Sequence, residues 1–173
     1  MKQIERQKSI GWFKLAEFVE RGEKERALGI YKLLALSIND IAFTYQLEGD
    51  ILLAFEDQQA YSKYLLATEH YIKQHNIPAA IGTLHHLAIL APNQTQAWEL
   101  LTDLYLNHLL TKINIHLKNL INHKQITLAQ ICIEKLISKC RLEQKENDLN
   151  DIINQVHKID TQLYSFTLQA LKK

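Results

Sequence analysis

"WELLTDLY" occupies residues 98–105 and "YLLATEHY" occupies residues 64–71. Each opens on a large aromatic, sets Thr four residues on and closes on Tyr three after that: Trp98, Thr102, Tyr105 against Tyr64, Thr68, Tyr71. On a helix, steps of four and three hold these side chains on one face. A third helix joins them. Tyr31, Leu34, Ala35 and Ile38 precede Tyr64, Ala67, Thr68 and Tyr71 by 33 residues, and Trp98, Leu101, Thr102 and Tyr105 follow by 34. Two helices per period at that interval mark a helical repeat. A lone helix hairpin cannot bury its apolar face, whereas stacked hairpins bury each face against the next.

The rest of the chain fits that frame. No segment alternates apolar and polar residues between turns, so the expected class is all-α. Helices are expected at about 10–20, 24–37, 41–55, 58–74, from Ile77 to the "APN" at 91–93, and from Thr95 to between Leu110 and His123. Two more follow, at about 127–142 and from Asn147 to the C-terminus. Arg21-Gly22 and Pro92 read as stops, Asp40 as a cap, and Pro78 as a first-turn residue. All five Gly and both Pro lie in the first 92 residues, which leaves the remainder free to run in longer helices. In the last helix Leu149, Ile152, Val156, Ile159, Leu163, Phe166 and Ala170 recur at steps of three and four, a seam of three heptads.

The unit from Tyr61 to Gln94 resembles the tetratricopeptide repeat family in Tyr64, Ala67, Thr68 and Tyr71, then Ala80, Leu84, Leu87 and Pro92. A following half-unit starts at Trp98, and the resemblance covers roughly residues 10–110. It implies a right-handed α-solenoid of antiparallel helix pairs over residues 1–110, with C-terminal helices over 111–173 in the same globular unit. The family's preferred Gly is replaced by Ala35, Thr68 and Thr102. A second register competes: Trp12, Leu15 and Ala16 lead to Ala27, Tyr31 and Leu34, with Ala60, Tyr64 and Ala67 repeating that second helix. The registers differ over which helix of each pair lines the inner groove. Pro92 and Trp98 favour the first.

The resemblance also implies groove positions: Ser62, Leu65, Glu69, Ile72 and Lys73, then Gln96, Glu99, Asp103, Leu106 and Asn107. Members that grip a peptide carboxylate use Lys, Asn and Arg at such places. Glu69, Glu99 and Asp103 would repel one, so a peptide or helix bearing Lys/Arg and aliphatic residues is the expected ligand.

Composition narrows the classes further. Twenty Lys/Arg against nineteen Asp/Glu leave a net charge of +1, with no global field to gather nucleic acid or anionic lipid. No stretch of about 18 apolar residues offers a membrane span, and the charged N-terminus does not read as a secretory signal. A cytoplasmic protein without membrane insertion is expected. Cys132 and Cys140 stand eight apart on one helix, about 12 Å along its axis, beyond disulfide reach. They read as buried structural thiols.

Catalytic and metal chemistry finds no pattern. His85 and His86 are adjacent and diverge by about 100° on a helix, so they cannot share a site. His116 and His123 share a face without the carboxylate of a zinc-protease motif and read as solvated or satisfied imidazoles. No phosphate loop, nucleophile elbow or paired-Cys motif occurs. No cofactor, metal or catalytic residue is expected. The expected role is a non-enzymatic adaptor or scaffold that holds a segment of another protein in a concave groove. The alternatives are a structural subunit that self-assembles as a homodimer through residues 147–173, and a secretion chaperone of tetratricopeptide type. A last helix that docks on the helix around 127–142 would instead cap the stack.

Overall fold

The structure is a computed structural model describing the backbone of residues 2–108, 112–143 and 146–172, and their side chains except at 2–9 and 146–148. Among the described residues every regular element is an α-helix. In chain order these are α1 (Lys2–Glu20), α2 (Lys24–Ala35), α3 (Ile41–Ala54), α4 (Gln59–Lys73), α5 (Ile77–Leu90), α6 (Thr95–His108), α7 (Ile113–Asn122), α8 (Ile126–Leu142), α9 (Glu146–Ile159) and α10 (Thr161–Leu171). Contacts gather into two compact units, Met1–Leu87 and Ala88–Lys173, which divide within α5.

Helix ends follow local chemistry. Gly22 adopts φ 72°, and the N–H groups of Gly22 and Glu23 donate to the carbonyls of Val19 and Phe18. This left-handed closure satisfies the last carbonyls of α1. Glu56, 34 residues on, closes α3 in the same way at φ 54°, with Glu56 and Asp57 donating to Leu53 and Leu52. His75 at φ 58° closes α4, and Lys124 at φ 59° closes α7. The expected Asp40 cap is present, its Oδ1 accepting from the Phe43 N–H at 3.2 Å.

In the first unit α1 packs extensively on α2 and α3 on α4, while the contact of α2 with α3 is slighter. These are the helix pairs of the second register. The reason is glycine. A Cβ on Gly49 would lie 3.2 Å from three atoms of the Tyr64 ring, and one on Gly11 would lie 2.8 Å from Leu34 Cδ2. Both absences let neighbouring helices close in. Leu15, Ala27, Tyr31, Leu34 and Ile51 form the core, with Phe18, Val19, Leu47 and Phe55 packed around them.

In the second unit α6, α7, α8 and α9 pack in succession, and alternate helices also meet, α6 with α8 and α7 with α9. α10 lies on both α8 and α9, and Arg141 Nη2 donates to the Leu171 carbonyl at 2.6 Å. Ile152, Val156, Leu163 and Ala170 are buried, so the apolar seam is covered within the chain.

Two expectations about elements need correction, and one left open is decided. α1 begins at Lys2 rather than Ile10. Of the two limits open for the sixth helix the earlier is near: α6 spans Thr95–His108, and α7 is a separate helix from Ile113. The last helix is two helices, because Asp160 is extended (φ −156°) and its Oδ1 accepts from the Leu163 N–H at 2.7 Å, starting α10 anew. A carboxylate at that position supplies an acceptor for a first-turn donor that has no intrahelical partner.

Among the described residues, five side-chain hydrogen bonds join residues about one period apart. Lys24 pairs with Asp57, and Gln74 Nε2 donates to Asp40 at 3.1 Å. In the second unit Gln125 Nε2 donates to the Pro92 carbonyl at 2.6 Å. Lys135 Nζ donates to Asp103 at 2.7 Å and Lys139 Nζ to Asn107 at 3.2 Å. The separations are 33, 34, 33, 32 and 32 residues. The last two bonds, four residues apart on each helix, require α6 and α8 to run parallel.

Candidate functional site

Burial decides which face of each helix is available. Tyr64, Tyr71, Trp98 and Tyr105 are all buried, as expected for a packing stripe. On α4 this turns Ser62, Glu69 and Lys73 outward, all exposed, with Leu65 and Ile72 half-buried. On α6 it turns out Gln96, Glu99, Asp103 and Asn107, all exposed, while Leu106 is buried. The seven expected groove residues thus divide three to the first unit and four to the second.

The α6 face is shared with α8. Asp103 is already paired with Lys135, and Lys139 bridges Asn107 and Glu143, the latter at 3.3 Å. Ile131, one turn before Lys135, is 40% exposed beside them. Two lysines from α8 therefore offset the carboxylates of α6, a contribution that reading α6 alone misses. A search of α8 at an offset of 32 would have found them. Glu99 has no ion-pair partner among the described residues.

Behind the two faces the stripes differ. The Tyr64 hydroxyl donates to Asp50 Oδ1 at 2.6 Å, and the Tyr71 hydroxyl donates to Gln46 Oε1 at 2.9 Å. Burial, then the bond to Asp50 and its charge, push the Tyr64 phenol far above its ordinary range. The Tyr31 hydroxyl donates to the Thr44 carbonyl at 2.8 Å, and burial foremost raises that phenol to about 12. Near Trp98 the partners are imidazoles. His116 is fully buried, its Nε2 2.8 Å from the Thr102 hydroxyl and its ring stacked on Tyr105 at 5.0 Å. The His123 ring lies 5.1 Å from Trp98, with Nδ1 2.8 Å from the Asn119 carbonyl. Each ring has one nitrogen within hydrogen-bond distance of a neighbour, Nε2 in His116 and Nδ1 in His123.

Cys132 and Cys140 are buried and outside any disulfide, and burial raises Cys132 to about 12, which leaves it protonated and unreactive near neutrality. Among the described residues no three His, Cys, Asp or Glu gather closely enough to hold a metal ion. No described helix is long and apolar enough to cross a membrane. In comparisons with known proteins, no family model, no curated protein and no solved structure matches the chain.

Proposed function

We propose that the chain is a non-enzymatic protein-interaction module, a tetratricopeptide-like stack of helix pairs that holds a segment of another protein against its exposed helix faces. The carrying observation is the set of five hydrogen bonds between residues 32 to 34 apart, which supports a stacked-repeat reading of both units. Stacking commits the aromatic stripe to packing and leaves the opposite face of the same helices to solvent. On α6 and α8 that face offers Gln96, Glu99, Asp103, Asn107, Ile131, Lys135 and Lys139; on α4 it offers Ser62, Glu69 and Lys73. Mixed charge with one exposed Ile suits a peptide or helix that combines an aliphatic residue with a cation opposite Glu99. Cytoplasmic placement accords with two buried cysteines outside any disulfide.

The test is affinity capture from the cells that express the protein, comparing wild type with Glu99→Lys/Asp103→Lys. The Asp103–Lys135 pair is exposed and contributes at most about 1 kcal/mol, so the variant stays folded. A protein held by wild type and lost from the variant supports the reading. Equal capture removes α6 from the interface.

A further inference from the structure

Ile10 and Phe13 of α1 are 48% and 76% exposed, on the face opposite Leu15, which lies in the core with Ala27 and Tyr31. They are the centre of a longer pattern. Gln3, Arg6, Ile10, Phe13, Glu17 and Glu20 recur at steps of three and four, so the helix register sets all six positions on one stripe. The stripe has an order. Lys2 and Arg6 make its start basic, Ile10 and Phe13 make its middle apolar, and Glu17 and Glu20 make its end acidic.

That order selects the occupant. A helix of one charge sign is attracted at one end of the stripe and repelled at the other, and an anionic lipid surface is repelled by Glu17 and Glu20. Laid antiparallel on itself, the stripe is its own complement. Ile10 of each copy comes level with Phe13 of the other, Arg6 with Glu17, and Gln3 with Glu20, about a twofold axis between residues 11 and 12. A parallel pair would instead set Arg6 beside Arg6 and Glu17 beside Glu17.

The flanking charges are compatible with the antiparallel order. Arg21, just beyond the helix, is held by Glu17 of its own chain at 2.5 Å. That pair is exposed, and a carboxylate accepts from more than one guanidinium. Lys2 comes level with both Glu20 and Arg21 of the second copy. The two Lys14 are exposed and stand five residues apart along the axis, about 7.5 Å.

We propose that two copies of the chain associate through α1, antiparallel, with Ile10 and Phe13 at the centre and an Arg6–Glu17 pair on either side. A contact between two single helices is small, so the association is weak and concentration-dependent. It is distinct from pairing through residues 147–173, whose seam is covered within the chain by Ile152, Val156, Leu163 and Ala170 being buried.

Sedimentation equilibrium of the full chain is the test, and wild type should show a reversible dimer. Arg6→Glu and Glu17→Arg each set like charges across the seam, and each should weaken the dimer by about tenfold. Mixed in equal amounts, the two variants regain both opposite-charge pairs and should associate within about threefold of wild type. Phe13→Ser should also weaken the dimer by about tenfold. Glu near the start of a helix and Arg near its end suit the helix dipole, so circular dichroism should report unchanged helicity. Wild type that stays monomeric at its highest soluble concentration overturns the proposal. A dimer that the single reversals leave intact lies at another surface and also overturns it, as does a mixture that fails to re-form the dimer.

Discussion

On α4, Tyr64 and Tyr71 send their hydroxyls back to Asp50 and Gln46 of the preceding helix, α3. On α6, Trp98 and Tyr105 pack with His116 of the following helix, α7, and Trp98 also with His123 at its C-terminal cap. The Thr between them bonds the carbonyl four residues back in both cases, Thr68 to Tyr64 and Thr102 to Trp98, each at 2.9 Å. Thr102 alone does more, meeting His116 Nε2 at 2.8 Å. One face pattern thus serves two kinds of interior. The first unit satisfies its buried phenols with amide and carboxylate acceptors near the surface, and the second encloses a polar imidazole outright. The pattern specifies that a face is buried; the neighbouring helix decides what it is buried against.

The largest effect should come from Trp98→Ala. Trp98 is 0% exposed and lies over His123, so the change should cost about 3–5 kcal/mol in denaturant unfolding. Trp98→Phe should cost markedly less, since the lost indole N–H has no hydrogen-bond partner among the described residues. A Trp98→Ala protein that unfolds at the wild-type midpoint would remove α6 from the core.

A sharper comparison sets Thr102→Val against Thr68→Val. Losing the Thr102 hydroxyl strands a buried imidazole nitrogen and should cost about 1–3 kcal/mol. Losing the Thr68 hydroxyl leaves the Tyr64 carbonyl with its helical bond and should cost under about 1 kcal/mol. Equal losses would mean that the two threonines share one role after all.

Glycine offers a test by sign. Gly49→Ala presses on a Tyr64 ring fixed by its bond to Asp50 and should destabilise by about 1 kcal/mol, after helix propensity offsets part of the overpacking. Gly82→Ala enters open space and should stabilise by about 0.5–1 kcal/mol. Opposite shifts in melting temperature are expected.

The smallest effect is alkaline. Tyr31, Tyr64 and Tyr71 of the first unit have raised pKa values, burial being the largest cause in each, against Tyr105 alone in the second. A raised folded pKa gives stability fully present below the unfolded value near 10 and lost as pH climbs through the folded value, about 12 for Tyr31. Hydrogen exchange between pH 10 and 12 should therefore show the first unit loosening before the second. The reverse order would contradict the assignment.

Much of this was legible beforehand. Three aromatic-led faces at offsets of 33 and 34 announced the all-helical class, the buried stripe and most helix limits, because apolar periodicity records burial directly. The polar positions off the stripe, Ser62, Glu69, Lys73, Gln96, Glu99, Asp103 and Asn107, are exposed, while Leu106 beside them is buried. The ends at Glu56, His75 and Lys124 were harder, since each adopts a left-handed conformation without the glycine that advertises it. The break at Asp160 was hidden by heptads that run unbroken through it, although Asp-Thr is itself a helix-start signal.

What the sequence determined by itself, then, is which residues turn inward, for that depends on spacing along one helix. Which helices pair was decided only in three dimensions, where Gly11 and Gly49 admit α2 and α4 closely enough to make α1–α2 and α3–α4 the tight pairs. The charge of the α6 face was decided there too, because Lys135 and Lys139 reach it from 32 residues away. Contacts between helices depend on side-chain volume and reach across a gap, and neither is written in the periodicity of either helix alone.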